Sequence, residues 1–303
     1  MSAVSIAPEI QQALQVGRPV VALESAVITH GLPKPAAIDA VQRQWEACRK
    51  AGSEPAVVAV FEGSLRVGLS LDECRRLSER SDAVKVSPWN LAAALVAPGF
   101  GGTTVAATIA TATLAGIHVM STGGIGGVHP GNDGQDVSAD LTELSRRPVC
   151  VICAGPKSTL DAAATMERLE TLGVPVIGWR SSLLAGFLAT SAGIRLPLRA
   201  ESIETLASIV RQHWALGGAG AIVSQPLAGD LAIARAELEH AQDSELSVHG
   251  PERTPAELRA LQARLGERVV EANIALLERN AALAGSLARA MATEPKDAGA
   301  RDG

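Results

Sequence analysis

The sequence predicts an α/β fold, a three-layer α/β/α arrangement around a central, mixed β-sheet. Three observations predict it. Short apolar runs of strand length alternate with amphipathic stretches of helical length along nearly the whole chain. Hydrophobic residues make up 47% of the 303 positions but aromatics only 2%, so a large core must be filled mainly by Ala, Val, Leu and Ile. One pair of apolar runs is separated by so short a polar connection that it must fold back antiparallel, which makes the sheet mixed. No internal repeat and no linker interrupts the pattern. One α/β domain over residues 1–292 follows, with a polar, disordered tail over 293–303.

Each element has a local reason. Residues up to about Gly17 read as a short helix, and 19–24 as an apolar strand ending at Glu24-Ser25. Residues 36–51 form an amphipathic helix closed by Gly52. The runs 56–61 and 65–69, split by Glu62-Gly63-Ser64, make the hairpin. Ser70 is placed to cap a helix over 71–80. A short strand over 84–87 carries Lys85, and Gly101-Gly102-Thr103-Thr104 opens a small-residue helix to Ala115 that Gly116 closes. Strands follow at 117–121 and 149–155, the second buried on both faces. Ser158 with Asp161 forms a capping-box pattern starting a helix to Leu172. A strand over 174–179 leads to a helix or irregular lid over 181–192 and a β-like run at 194–198. Helices over 201–216 and 230–245 flank a strand at 221–227. A polar loop over 247–255 then leads to helices at 255–265 and 267–292.

Composition excludes several functions. With two aromatics per hundred residues and a net charge of −5, the chain offers neither a base-stacking surface nor a polyanion-binding face. No membrane span and no signal peptide is expected. Cys150 and Cys153 lie on one predicted strand, where residues three apart face opposite ways, so a shared metal or disulfide is not expected. Buried free thiols fit a reducing, cytoplasmic setting.

The chemistry concentrates in residues 122–157. A glycine loop runs from Thr122 to Gly131, with four glycines in five positions that allow positive φ and close approach of backbone to a ligand. Asp136, Ser138 and Asp140 alternate after it. Asp140 with Glu143 also fits a helix-capping box, whereas Asp136 is a reasonable Mg²⁺ or Mn²⁺ ligand. Lys157 sits in a strand-to-helix turn, where a positive helix end and partial burial disfavour an ammonium and leave an amine able to form an imine; the plain alternative is a solvated loop lysine. Glu24, at a strand's C-terminal end, is either a ligand-facing acid or a turn cap. Lys85 is either a surface lysine or a phosphate ligand.

Taken together, Val21-Ala22-Leu23-Glu24-Ser25, Thr29-His30-Gly31, Lys85-Val86-Ser87, Gly102-Thr103-Thr104-Val105, residues 122–129, 136–144 and Cys153-Ala154-Gly155-Pro156-Lys157-Ser158 resemble the pseudouridine-5′-phosphate glycosidase family, also called indigoidine synthase A-like. The likeness runs from about residue 7 to 291 and includes Glu271-Ala272-Asn273-Ile274. The resemblance implies an α/β/α lyase. It interconverts pseudouridine 5′-phosphate and water with uracil and ribose 5-phosphate, uses a divalent metal, usually Mn²⁺, and forms homotrimers. It implies that Lys157 bonds the sugar covalently and that Glu24 donates a proton. It also assigns Lys85, Val105, Ser138, Ala139, Asp140 and Asn273 to substrate and Asp136 to the metal. Pro130, Pro156 and residues 181–187 depart from the family's usual pattern. Two other readings stay open: another lysine-imine enzyme on sugar phosphates, such as an aldolase, and a catalytically silent phosphosugar-binding protein.

Overall fold

The structure is a computed structural model that describes residues 4–96, 99–131, 134–227, 229–241 and 253–292, the side chains of 253–255 and 258 aside. The tail expected over 293–303, the end of the helix expected over 230–245, and most of the 247–255 loop lie outside the described residues.

The first part of the chain forms β1 (Ser5–Ile6), α1 (Pro8–Gln15), β2 (Val20–Leu23), a π-helical turn (Val27–Gly31), α2 (Lys34–Lys50), β3 (Glu54–Phe61), β4 (Ser64–Val67) and α3 (Leu71–Glu79). Then come β5 (Val84–Val86), α4 (Leu91–Val96), β6 (Gly101–Thr103), α5 (Val105–Leu114), β7 (Val119–Ser121), α6 (Ala139–Leu144), β8 (Cys150–Cys153) and α7 (Ala162–Thr171). The rest is β9 (Val176–Trp179), β10 (Leu198–Ala200), α8 (Ile203–Ala215), β11 (Ala221–Ser224), α9 (Arg235–Ala241), α10 (Arg253–Leu265) and α11 (Glu267–Ala292).

The sheet order is β1-β4-β3-β2-β7-β8-β11-β9-β10, with β6 joined to β3 and β5 to β6. It is mixed, as expected: β3 pairs antiparallel with β4 and β6, and the other pairs are parallel. Glu62 and Gly63 turn the β3–β4 hairpin with φ of 52° and 72°. Positive φ at both positions gives the twist that suits a tight hairpin. Ser70 caps α3 in a reciprocal box with Glu73.

Strand alternation divides the core into two layers. Val21, Leu23, Val57, Ala59, Cys150 and Ile152 pack with residues of α2, α3, α8 and α11 on one face. Val20, Ala22, Val58, Val151 and Cys153 pack with α1, α5, α6 and α7 on the other. Cys150 and Cys153 thus point to opposite faces, and all four cysteines are buried free thiols. Among the described residues no helix is long and apolar enough to cross a membrane.

Several expectations are corrected. Gly101–Thr103 is a strand, not a helix start, and α5 begins after Thr104, whose hydroxyl accepts from Ala107 N–H. The β-like run expected at 194–198 is shifted to β10. Of the two forms expected for the 181–192 stretch, the structure shows the irregular one. The helix after Lys157 starts only at Ala162, with Asp161 as its cap, because Asp161 Oδ1 accepts from Ala164 N–H at 2.9 Å. α6 is capped by Ser138, not by an Asp140–Glu143 box.

Candidate active site

The chain leaves β2 toward β3 on one side and leaves β7 toward β8 on the other, although β2 and β7 are neighbours. Beyond the C-terminal ends of two such strands the connections diverge and open a crevice. Glu24 follows β2 and Thr122 follows β7, at that crevice.

Glu24 is fixed from below by Ser25. The buried Ser25 hydroxyl donates to Val58 O at 2.6 Å and accepts from Thr103 N–H at 2.9 Å, tying the end of β2 to β3 and β6. Glu24 Oε2 accepts from Val27 N–H at 2.9 Å, so the turn-cap reading holds for one oxygen. Oε1 accepts from the Thr122 hydroxyl at 3.3 Å. The side chain is only partly accessible. Desolvation pushes its carboxyl above the ordinary carboxylate range, and the Lys157 charge and the two hydrogen bonds only partly offset this.

The glycine stretch is an irregular extension of β7 laid against an extension of β8. Ala154 N–H donates to Gly123 O, Ile125 N–H to Gly155 O, and Lys157 N–H to Ile125 O, at 2.8, 3.1 and 3.1 Å. This ladder delivers Lys157 beside Glu24. The glycines themselves serve packing: none of Gly123, Gly124, Gly126 and Gly127 has positive φ. A Cβ on Gly126 would lie 2.2 Å from Ser138 Oγ, and one on Gly127 would lie 2.3 Å from Thr165 Oγ1. The expected loop of unusual dihedrals is instead a backbone pressed against α6 and α7. Gly155 does need its conformation, with φ of 84° and a neighbouring Ala185 O only 2.2 Å from where a Cβ would be. The later start of α7 also removes the helix dipole from Lys157, since its field fades within the first turn.

All nine residues singled out in the sequence meet here. A cleft of about 290 Å³ is lined by Glu24, Lys85, Val105, Asp136, Ser138, Ala139, Asp140 and Lys157. A narrower recess of about 50 Å³ continues from it, lined by the same Glu24, Lys85 and Lys157 with Asn273. Lys85 comes from β5, which β6 holds in parallel register, while Asn90 Nδ2 donates to its carbonyl at 3.0 Å. Asp140 has a second duty: Oδ1 accepts from Ala106 N–H at 2.8 Å and Oδ2 from Gly126 N–H at 2.7 Å. Asp136 is brought alongside by a bridge between Val128 and Val137 and by His129 N–H donating to its carbonyl at 2.9 Å.

Sequence reasoning gave no site role to His30, Phe187, Leu277 or Trp89, which also line the cleft or recess. His30 lies in a π-helical turn, which leaves no periodic trace. Phe187 lies in irregular chain with φ of 61°, packed on Gly124. Among the described residues no three His, Cys, Asp or Glu side chains converge as a metal cage. One carboxylate open to a roomy polar cleft still fits a hard divalent cation that takes its other ligands from water and substrate.

Known proteins resemble this chain over nearly its whole length. A protein from Roseiflexus sp. (strain RS-1) named pseudouridine-5′-phosphate glycosidase is 43% identical over 299 residues, covering 95% of this chain and 96% of the relative. One of the same name from Sorangium cellulosum (strain So ce56) is 42% identical over 296 residues, covering 95% and 93%. The crystal structure of an indigoidine synthase A (IdgA)-like protein from Thermotoga maritima superposes with a TM-score of 0.87 at 35% identity, covering 94% and 95%. The prealnumycin C-glycosynthase AlnA in complex with ribulose 5-phosphate superposes with a TM-score of 0.87 at 34% identity, covering 95% and 97%. The family described as indigoidine synthase A like protein matches residues 9–290, and the chain belongs to that family.

Proposed function

We propose that this chain is a pseudouridine-5′-phosphate glycosidase, a lyase that reversibly cleaves the C–C glycosidic bond to give uracil and ribose 5-phosphate. The observation that carries it is Glu24 and Lys157 on one cleft wall, the first with its carboxyl held above the ordinary range and the second electrostatically coupled to it. Near-full-length relatives bearing that name support it.

A carbon leaving group has no lone pair to protonate, so the two-carboxylate route to glycoside cleavage does not suffice. An amine supplies an alternative. The Lys157 amine bonds to C1′ as C1′–O4′ breaks, and Glu24 gives its proton to O4′. The proton shed by the new secondary ammonium returns to Glu24. The amine's electron pair then forms C=N while the C1′–C5 bond breaks, and uracil C5 takes the proton from Glu24 in place of carbon. Water hydrolyses the protonated imine, and the proton this frees returns to Glu24, leaving ribose 5-phosphate, the free Lys157 amine and a protonated acid. The sum is substrate plus water to two products.

Lys85, Ser138, Ala139 and Asp140 form the polar end of the cleft that suits the 5′-phosphate and sugar, with Val105 beside them. Asn273, in the recess with Phe187 and Leu277, offers an amide to the base. A divalent ion, most suitably Mn²⁺, would be held by Asp136. When bound it supplies positive charge that orders water and polar substrate groups. A cytoplasmic setting belongs to the same reading, supported by the buried free thiols; a homotrimer belongs to it through the family resemblance alone.

The test mixes purified protein, Mn²⁺ and pseudouridine 5′-phosphate and follows uracil and ribose 5-phosphate. Borohydride should trap a sugar phosphate on Lys157, read by peptide mass, and Lys157→Ala should carry none. Turnover of aldol substrates alone, or equal trapping in both proteins, would overturn the assignment.

A further inference from the structure

The last helix, α11, runs beneath the site and presents Asn280 to it. Asn280 is fully buried. Its Nδ2 donates to Thr122 O at 2.9 Å and to Gly123 O at 3.4 Å. Its Oδ1 has no hydrogen-bond partner among the described residues. A residue selected only to fill the core would carry no such buried carbonyl, because an unsatisfied one is costly. The donor end therefore has a use worth that cost.

Thr122 is held at both ends. Its N–H donates to Ile152 O at 3.1 Å and its carbonyl accepts from Asn280. What remains is its hydroxyl, which donates to Glu24 Oε1. With the backbone clamped on two sides, that hydroxyl has a fixed origin from which to reach the carboxyl.

We infer that Asn280 is a positioning residue for the acid: by clamping Thr122 it sets the orientation of the Glu24 carboxyl toward the space in front of Lys157. The inference rests on the acid role proposed for Glu24. The charged groups acting on Glu24 are Lys157 and Asp140, with Lys85 and His30 lining the same recess. None of them contacts Asn280 through a hydrogen bond described above. Its influence runs through Thr122.

The test uses Asn280→Leu, Thr122→Val and Thr122→Ser. Glu24 is titrated by carboxyl-carbon NMR in the unliganded protein, its signal assigned by loss in Glu24→Gln, and kcat and KM are measured for cleavage. Removing a hydrogen bond to the ionised carboxylate raises its proton affinity. Thr122→Val and Asn280→Leu should both move the Glu24 titration upward, and Thr122→Ser should restore it. Misplacing the acid should lower kcat by about tenfold or more while KM changes little. Asn280→Gln, which keeps the amide but displaces it, gives the same readout should the leucine variant not fold. A wild-type titration in the Asn280 variants alongside a shifted one in Thr122→Val would overturn the inference. So would a lower kcat with no shift in titration. If Glu24→Gln keeps full turnover, the acid role fails instead, and the NMR titration still decides whether Asn280 governs the carboxyl.

Discussion

Asp140 is the residue at which scaffold and site can be separated. Its carboxylate is buried, and each oxygen accepts a backbone N–H, from Ala106 at 2.8 Å and Gly126 at 2.7 Å. These two bonds hold the start of α5 and the glycine stretch against α6. In Asp140→Asn one oxygen remains an acceptor, and the new NH₂ must face the other N–H. One charge-assisted bond, about 1.5–3 kcal/mol, is lost and a buried amide is left unpaired, so the cost should be about 2–4 kcal/mol. At about 2.1 cal/mol/K of unfolding entropy per residue, a chain of this length loses about 3–6 °C in Tm. Asp140→Ala frees both amides and should cost more. The assay is a thermal melt by circular dichroism, with KM measured on folded protein at low temperature. A wild-type Tm in Asp140→Asn together with a raised KM would refute the scaffold reasoning and leave Asp140 as a substrate contact alone.

Glu24→Gln should change the pH dependence of stability. A carboxyl whose folded pKa lies above its unfolded value imposes no penalty in acid, where both states are protonated. The penalty grows as pH rises from the ordinary carboxylate value through the raised folded one. The variant should gain Tm over wild type with rising pH, and a gap that is constant or shrinks would refute the raised carboxyl. Gly127→Ala places a methyl 2.3 Å from Thr165 Oγ1 and should cost about 1–3 kcal/mol by overpacking. Adding Thr165→Ala should recover part of that in a double-mutant cycle, and strict additivity would refute the contact. Burial raises all four thiols, Cys48, Cys74 and Cys153 to about 12, so a disulfide reagent should label none in native protein and four after denaturation. Rapid native labelling would place a cysteine at the surface. Chelation followed by Mn²⁺ should lower and restore turnover in wild type, and an Asp136→Asn enzyme that needs no more Mn²⁺ than wild type would refute the metal role.

The sequence by itself determined the architecture where side-chain period carries the signal. The continuous apolar runs at residues 20–23 and 56–61, the Glu62-Gly63 turn, the Ser70 cap and the helix over 267–292 follow from local chemistry, and the structure repeats them as strands buried on both faces, a hairpin, a capped α3 and α11. It also supplied nine residues that line the candidate cleft and recess, though not His30 beside them. It misplaced the ends of elements governed by tertiary contacts. Gly101–Thr103 became a strand because β3 and β5 offer it hydrogen bonds, which no local propensity encodes. The start of α7 moved to Ala162 because the chain through Lys157 is first paired to Ile125.

Only the tertiary structure decided what the glycine stretch from Thr122 is for. Read along the chain, its glycines suggest freedom of dihedral angle. In space they are the cost of packing backbone against Ser138, Thr165 and Phe187. Asn280 and Glu24 are 256 positions apart, yet they act on the two ends of one threonine. Sequence separation hides such a link because it depends on where the topology reverses at β2 and β7, and that reversal exists only once the sheet has formed.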